Sequence, residues 1–271
     1  MRSIFFLIAA VLLSFTTRAS DHTIKLYALD CGRLEMFDIG TFADDGTFDG
    51  QSAKLAVPCF LIRHPKGILL WDLGINEAIA AKPAGEKAVW GIMTMPHTLT
   101  GQLATLGLTP DDIDMVALSH WHPDHSGNLG LFKKTRIILQ KSEYSFLQSA
   151  VGAEIGLPTL AAANVTTFDQ DYDVFADGTA IIHAMPGHTA GHAILELALE
   201  KAGTLLFSGD LYILKASRLH KAVPTINTDA AATRQSLDTF EALAKRTSAR
   251  IIIQHDIPTF KQLPTFPAYL E

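Results

Sequence analysis

Cysteine is nearly absent: Cys31 and Cys59 are the only two in 271 residues. One disulfide is the most they can form, and export of the chain would permit it. Two buried thiols behaving as small apolar side chains is the favoured reading of the pair. Basic charge is also scarce, with 22 Lys and Arg against 28 Asp and Glu and no basic cluster. That balance argues against binding to nucleic acid or to an anionic membrane. Long apolar runs are missing as well. Ile4 to Phe15 spans 12 residues, short of the roughly 20 that a membrane-crossing helix needs. With Arg2 ahead of it and Thr17-Arg18-Ala19 behind it, the run reads as a signal peptide over residues 1–19. No cysteine follows closely, so no lipid attachment is expected. The expected product is a periplasmic or secreted domain over residues 20–271, free of the membrane once the signal is cleaved. Loss of Arg2 and Arg18 would leave it 20 basic and 28 acidic residues, a formal charge of −8. There is no linker, low-complexity tract or short repeat to divide it.

What remains is a core-forming composition, 48% hydrophobic and 18% charged, in a chain long enough for one large domain. Thr23 to Leu29 alternates as a strand and is expected to end at Asp30-Cys31-Gly32. Residues 38–51 are rich in Gly and Asp and read as a loop. Ala56 to Arg63 and Ile68 to Trp71 flank turn chemistry at His64-Pro65-Lys66-Gly67, which predicts a hairpin. Residues 78–98 lack clean periodicity and read as a mobile or partly helical flap. Further strands are expected at 115–118, 136–139, 165–168, 180–185, 193–199, 204–207 and 250–253. A long helix capped at Asn227-Thr228 is expected to run to about Lys245, with one apolar face at Leu237, Phe240, Leu243 and Ala244. The order of strands and helices recurs in each half, which suggests a duplicated two-layer unit.

The richest chemistry lies in His120-Trp121-His122-Pro123-Asp124-His125. In an extended or loop backbone, positions i and i+2 share a side, so His120 and His122 can grip one ion together. Asp124 and His125 lie one step further on and can reach a second. Imidazole and carboxylate suit zinc or a similar divalent ion. A solvated loop with a chance cluster of histidines is the alternative. Against it stands a pattern along the chain: Leu118 precedes His120, Met185 precedes His188, Phe207 precedes Asp210 and Ile253 precedes His255. Four apolar strand ends thus deliver metal-capable groups to one rim. Asp72, at the end of a hairpin strand, is a candidate to orient a metal histidine. Trp121 and Pro123 are expected to shape the loop.

The set HWHPDH, PGHTAGH, SGD and QHD resembles the metallo-β-lactamase superfamily. The resemblance implies an αββα sandwich, in the α/β class, with a dinuclear metal site at one edge. It assigns His120, His122 and His188 to the first ion and Asp124, His125 and His255 to the second, with Asp210 bridging both. His192 is then a supporting histidine. Two ions about 3.5–4 Å apart would share and activate a water, and Asp124 would carry a proton to the leaving group. Asp210 stands where superfamily β-lactamases place Cys or Ser, which argues against that activity. The chain ends soon after His255, so the glutathione-binding helical segment of glyoxalase II-like thioesterases is not expected. The opening LYALDCG, the pair CFLIRHPKGILLWDLG, the run TLGLTPDDIDMVALSHWHPDHSGN and the ending QHD with FPAYL resemble the N-acyl homoserine lactonases more specifically. That implies two divalent ions, zinc by default, and an acyl lactone as substrate. A homodimer is compatible with this reading. Those lactonases hold the lactone with a tyrosine three residues after the bridging aspartate; Ile213 stands there, and the role is carried to Tyr212, one residue earlier. Other dinuclear hydrolases, acting on phosphotriesters, aryl esters or other lactones, are the alternative.

Overall fold

The computed structural model describes residues 23–154 and 164–271; the expected signal peptide lies outside them. The strands are β1 (Lys25–Met36), β2 (Ala53–His64), β3 (Gly67–Trp71), β4 (Glu86–Lys87), β5 (Gly91–Thr94), β6 (Met115–Ala117), β7 (Arg136–Gln140) and β8 (Val165–Phe168) in the first half. They form one sheet in the order β4-β5-β1-β2-β3-β6-β7-β8. In the second half, β9 (Tyr172–Asp173), β10 (Ala180–Ala184), β11 (Ala193–Leu199), β12 (Gly203–Phe207) and β13 (Arg250–Ile252) form a sheet in the order β13-β12-β11-β10-β9. The helices are α1 (Leu99–Thr105), α2 (Pro123–Ser126), α3 (Lys141–Leu147), α4 (Ala150–Glu154), α5 (Lys215–His220), α6 (Ala230–Thr247) and α7 (Ile257–Phe260).

Alternation within the strands decides the layers, because neighbouring side chains point to opposite faces. Phe60, Ile62, Leu69, Trp71 and Ile138 of the first sheet meet Ile182, Leu195, Leu197, Leu205 and Phe207 of the second in one buried core. The opposite face of the first sheet, including Leu29, Leu61 and Leu70, packs against Leu99 and Leu103 of α1. Ile194 and Leu206 on the outer face of the second sheet pack under Leu237, Phe240 and Leu243 of α6. The result is the expected αββα sandwich. Its halves repeat a plan: β1, β2 and β3 are antiparallel with β6 parallel to β3, as β10, β11 and β12 are antiparallel with β13 parallel to β12.

Several expectations change. β1 does not stop at Asp30; it runs on to Met36 through a register shift between Asp30 and Arg33, where the Arg33 guanidinium pairs with the Asp30 carboxylate. Cys31 sits in that shift and is joined to Cys59 of β2, with the Cα atoms 5.7 Å apart. The two thiols are therefore a cystine rather than free. The shift turns Cys31 into the same buried cluster as Cys59. Residues 78–98 are helical only at their start, and the rest is not a flap but part of the first sheet. They hold a 3-10 turn at Glu77–Ala81 and the β4–β5 pair, which extends the first sheet beyond β1. The long helix starts later than expected: Asp229, not Asn227, is its N-cap and accepts from the Ala232 N–H at 2.9 Å.

Candidate metal centre

The rim of the sandwich receives its polar groups from the ends of β6, β10, β12 and β13. His120, His122, His188 and Asp210 converge there, each offering one atom within 4.8 Å of the others. His122 Nδ1 lies 2.9 Å from His120 Nε2 and 3.0 Å from His188 Nε2. Asp124, His125 and His255 form a second group, with the two Nε2 atoms 3.1 Å apart. Asp210 faces both. Its Oδ2 is 3.4 Å from His188 Nε2 and 3.8 Å from His120 Nε2. Its Oδ1 is 3.1 Å from His125 Nε2 and 3.0 Å from His255 Nε2. All seven residues singled out from the strand ends and the hexamer are brought together.

The outer nitrogens fix which lone pairs point inward. His125 Nδ1 donates to Asp72 Oδ2 at 2.9 Å, His255 Nδ1 to the Ala56 carbonyl at 2.7 Å, and His188 Nδ1 to Asn227 Oδ1 at 2.8 Å. The Ser119 hydroxyl donates to Asp72 at 3.0 Å and lies 3.0 Å from His120 Nδ1, which it can accept from. With Nδ1 so engaged, each of these rings is left with Nε2 toward the centre, the atom a metal-binding imidazole needs there. Asp72 is a hub, as its sequence position suggested. It is fully buried, holds a left-handed backbone (φ 56) and also accepts from the Ser119 N–H at 2.7 Å and from Gln254 Nε2 at 2.8 Å. Gln254 Oε1 in turn accepts from Trp71 Nε1 and the Gly209 N–H, both at 3.0 Å.

His192 serves Asp210. Its Nδ1 donates to the Met185 carbonyl at 3.0 Å, and its Nε2 accepts the Asp210 N–H at 2.9 Å. Gly209 turns the chain at φ +49, and a Cβ there would come within 2.5 Å of His192 Nε2, so only glycine lets the ring approach this closely.

Charge follows geometry. Burial, with neighbouring imidazoles adding to it, holds His120 well below its ordinary pKa and His122 down at about 4. Burial also lowers His188, and takes His192 to about 3. For His125 and His255 burial pushes the same way, but the carboxylates led by Asp210 overcome it and raise both. Burial would raise Asp210, yet His255, His125 and His120 hold it well below the usual carboxylate range.

The residues fit a pair of divalent ions. Imidazole lone pairs that face one another at about 3 Å repel unless a cation lies between them. The buried Asp210 Oδ1 has no aligned hydrogen bond despite its two imidazole neighbours, an expensive arrangement for a carboxylate that binds nothing else. The set is all nitrogen and oxygen, which matches zinc and related ions.

Tyr212 is not part of this centre, a correction to the expected role. Its ring packs on Phe240 of α6, and its hydroxyl donates to Glu241 Oε1 at 3.0 Å. Burial, with the Glu241 charge behind it, raises its pKa. Ile213 points the other way, into the cluster on the outer face of the first sheet. Ser119 and Glu143 carry no signal of their own in the sequence; Asn227 reads there only as a helix cap and Gln254 only as part of QHD. Glu143, on α3, is fully buried and accepts from the Trp121 N–H at 3.0 Å, the Gly191 N–H at 2.8 Å and the Thr189 hydroxyl.

Two histidine clusters sharing one carboxylate on the edge of an αββα sandwich define a dinuclear metallohydrolase type of centre. The pattern of the metallo-beta-lactamase superfamily matches residues 53–255, and the chain belongs to that superfamily. It is 29% identical to the N-acyl homoserine lactonase AttM of Azorhizobium caulinodans over 260 residues, which cover 90% of this chain and 98% of that one. It is 30% identical to an N-acyl homoserine lactonase of a Bacillus species over 254 residues, 91% of this chain and 98% of that one. Among solved structures, it superposes on a quorum-quenching N-acyl homoserine lactone lactonase with a TM-score of 0.78, at 27% identity, covering 93% of this chain and all of the other.

Proposed function

We propose that this protein is a metal-dependent N-acyl homoserine lactonase. It opens the lactone ring of an acyl homoserine lactone to give the N-acyl homoserine. The observation that carries the proposal is Asp210, whose two oxygens face the two histidine clusters. The similarity to lactonases over nine-tenths of the chain supports the choice of substrate. When bound, two divalent ions, zinc by the chemistry of the donors, would supply Lewis acidity for the carbonyl and a nucleophile at neutral pH.

The chain's own residues then have separate tasks. His120, His122 and His188 would hold one ion and Asp124, His125 and His255 the other, with Asp210 available to both. Asp124 lies 3.5 Å from His255 Nε2 and keeps a fifth of its side chain in solvent. Its carboxylate is therefore placed to take a proton from water and return it to the alkoxide released when the ring opens. Asp72 and the Ala56 carbonyl keep His125 and His255 in the required tautomer. An exported location suits an enzyme that meets a diffusible signal; the apolar leader and the cystine support it.

One observation favours a second reading. The tyrosine expected to hold the lactone is turned to Glu241, so other lactones, aryl esters or phosphotriesters become competing substrates of the same centre. Mass spectrometry of N-acyl homoserine formed by metal-loaded and chelated protein, beside turnover of an aryl ester and a phosphotriester, decides between them. Lactone opening that is fastest of the three and lost on chelation is expected. Lactone turnover no faster than the other two overturns the favoured reading.

A further inference from the structure

We infer that Glu143 is a positioning residue for the three-histidine half of the centre, tying the loop of His120 and His122 to the loop of His188. The inference rests on the two-ion reading of the site but not on the identity of the substrate.

Three observations carry it. Glu143 lies on α3, outside every ligand-bearing segment, yet the residue is only 1% exposed. Its two oxygens divide their work. Oε2 accepts from the N–H of Trp121, between His120 and His122. Oε1 accepts from the Thr189 hydroxyl and the Gly191 N–H, both in the loop that starts at His188. All three donors are neutral, so a buried carboxylate is satisfied here by dipoles alone, which only a fixed geometry can do. The approach is also close: a Cβ on Gly191 would lie 2.4 Å from Gln140 Oε1 and 2.6 Å from the Glu143 backbone nitrogen. The loop is thus pressed against the start of α3.

The other half of the centre has anchors that do not involve Glu143, His125 on Asp72 and His255 on the Ala56 carbonyl. A defect at residue 143 therefore has a specific signature, in which one ion is weakened and the other is not. An isosteric amide cannot replace the carboxylate. In one orientation its NH2 meets the Trp121 N–H, and in the other it meets the Gly191 N–H.

The test is cobalt(II) titration of the metal-free protein, followed by its visible absorption. His122→Ala serves as the reference spectrum for a vacant three-histidine half. The wild type takes up two ions. In E143Q one is held about 10- to 100-fold more weakly, and the spectrum at limiting metal matches that of the H122A protein. Thr189→Val, which removes one donor and keeps the shape, shifts the same ion in the same direction. Thr189→Ser, which keeps the hydroxyl, restores wild-type binding. If E143Q fails to fold, the Thr189 pair carries the test. Wild-type affinity for both ions in E143Q and T189V overturns the proposal, as does equal weakening of both ions. Fewer than two ions in the wild type overturns the two-ion reading and the proposal with it.

Discussion

Asp124 and Tyr212 separate what a residue's spacing reveals from what it hides. Asp124 was legible because the hexamer is local: four metal-capable groups within six positions leave the backbone little freedom to scatter them. Asp124→Asn keeps the shape and loses the acid–base function. We expect kcat to fall about 10²- to 10⁴-fold while metal analysis still finds bound ion; a kcat within threefold of wild type would remove Asp124 from the chemistry. Tyr212 was misread because its direction is set by the turn at Gly209 and by α6, neither of which spacing from Asp210 encodes. Its hydroxyl ends on Glu241, far from the role assigned to it. Tyr212→Phe should leave kcat and KM within about twofold while lowering the unfolding free energy by about 0.5–1.5 kcal/mol, read by urea denaturation. A large rise in KM for the lactone with no loss of stability would return the tyrosine to the site.

At the level of elements, alternation and turn chemistry located the long strands and the β2–β3 hairpin. They failed where tertiary contact overrides pattern. β4 and β5 have two and four residues, too few for a period to show, and become strands because β5 pairs with β1 and β4 with β5. The cystine was hidden for a related reason, since the register shift that brings Cys31 to Cys59 is a property of two paired strands. It encloses a segment with a sequence separation of 28, so replacing both cysteines by alanine should cost about 3–4 kcal/mol by the chain-entropy estimate. Equal denaturation midpoints for the variant and the wild type would show that the bond adds nothing. A second element-scale contact joins α5 to α6, where Arg218 donates from Nε and Nη2 to Glu241, both at 2.8 Å. Those bonds hold the Glu241 carboxyl below its usual 4.5. A lowered acid pKa means the unfolded chain takes up the proton first as pH falls. The contribution is therefore complete above about pH 4.5 and is lost as pH drops through the folded value. The stability gap between wild type and Glu241→Gln should be constant from pH 5 to 7 and shrink below 4.5; a gap indifferent to pH would show that the charge of Glu241 adds no stability.

For the whole molecule, the centre is where the two repeated halves meet. His120 to His125 come from the first half, and His188, Asp210 and His255 from the second. The seven candidate ligands were legible because each lies in the hexamer or just after an apolar strand end, features the sequence displays directly. Glu143 and Asn227 were not, because they act from other segments brought near by folding; Ser119 directly precedes His120, but the fold alone sets its hydroxyl between His120 and Asp72. Bound ions would thus cross-link the sandwich, and stability becomes linked to metal. Anything that binds the folded state alone stabilises it by RT ln(1 + [L]/Kd), about 4 kcal/mol at a thousandfold excess over Kd. For a domain of this size each kcal/mol moves the melting temperature by roughly 2–4 °C, so one tightly held ion should raise it by roughly 8–16 °C. Calorimetric scans of chelated protein with increasing zinc should show a midpoint that climbs with concentration and continues past one equivalent. The interior of the sandwich does not depend on the ions, with Phe60, Leu195 and Phe207 buried between the sheets, so the chelated protein should still unfold cooperatively. A midpoint indifferent to zinc would mean that the two halves are held by their core alone and that the rim binds nothing tightly.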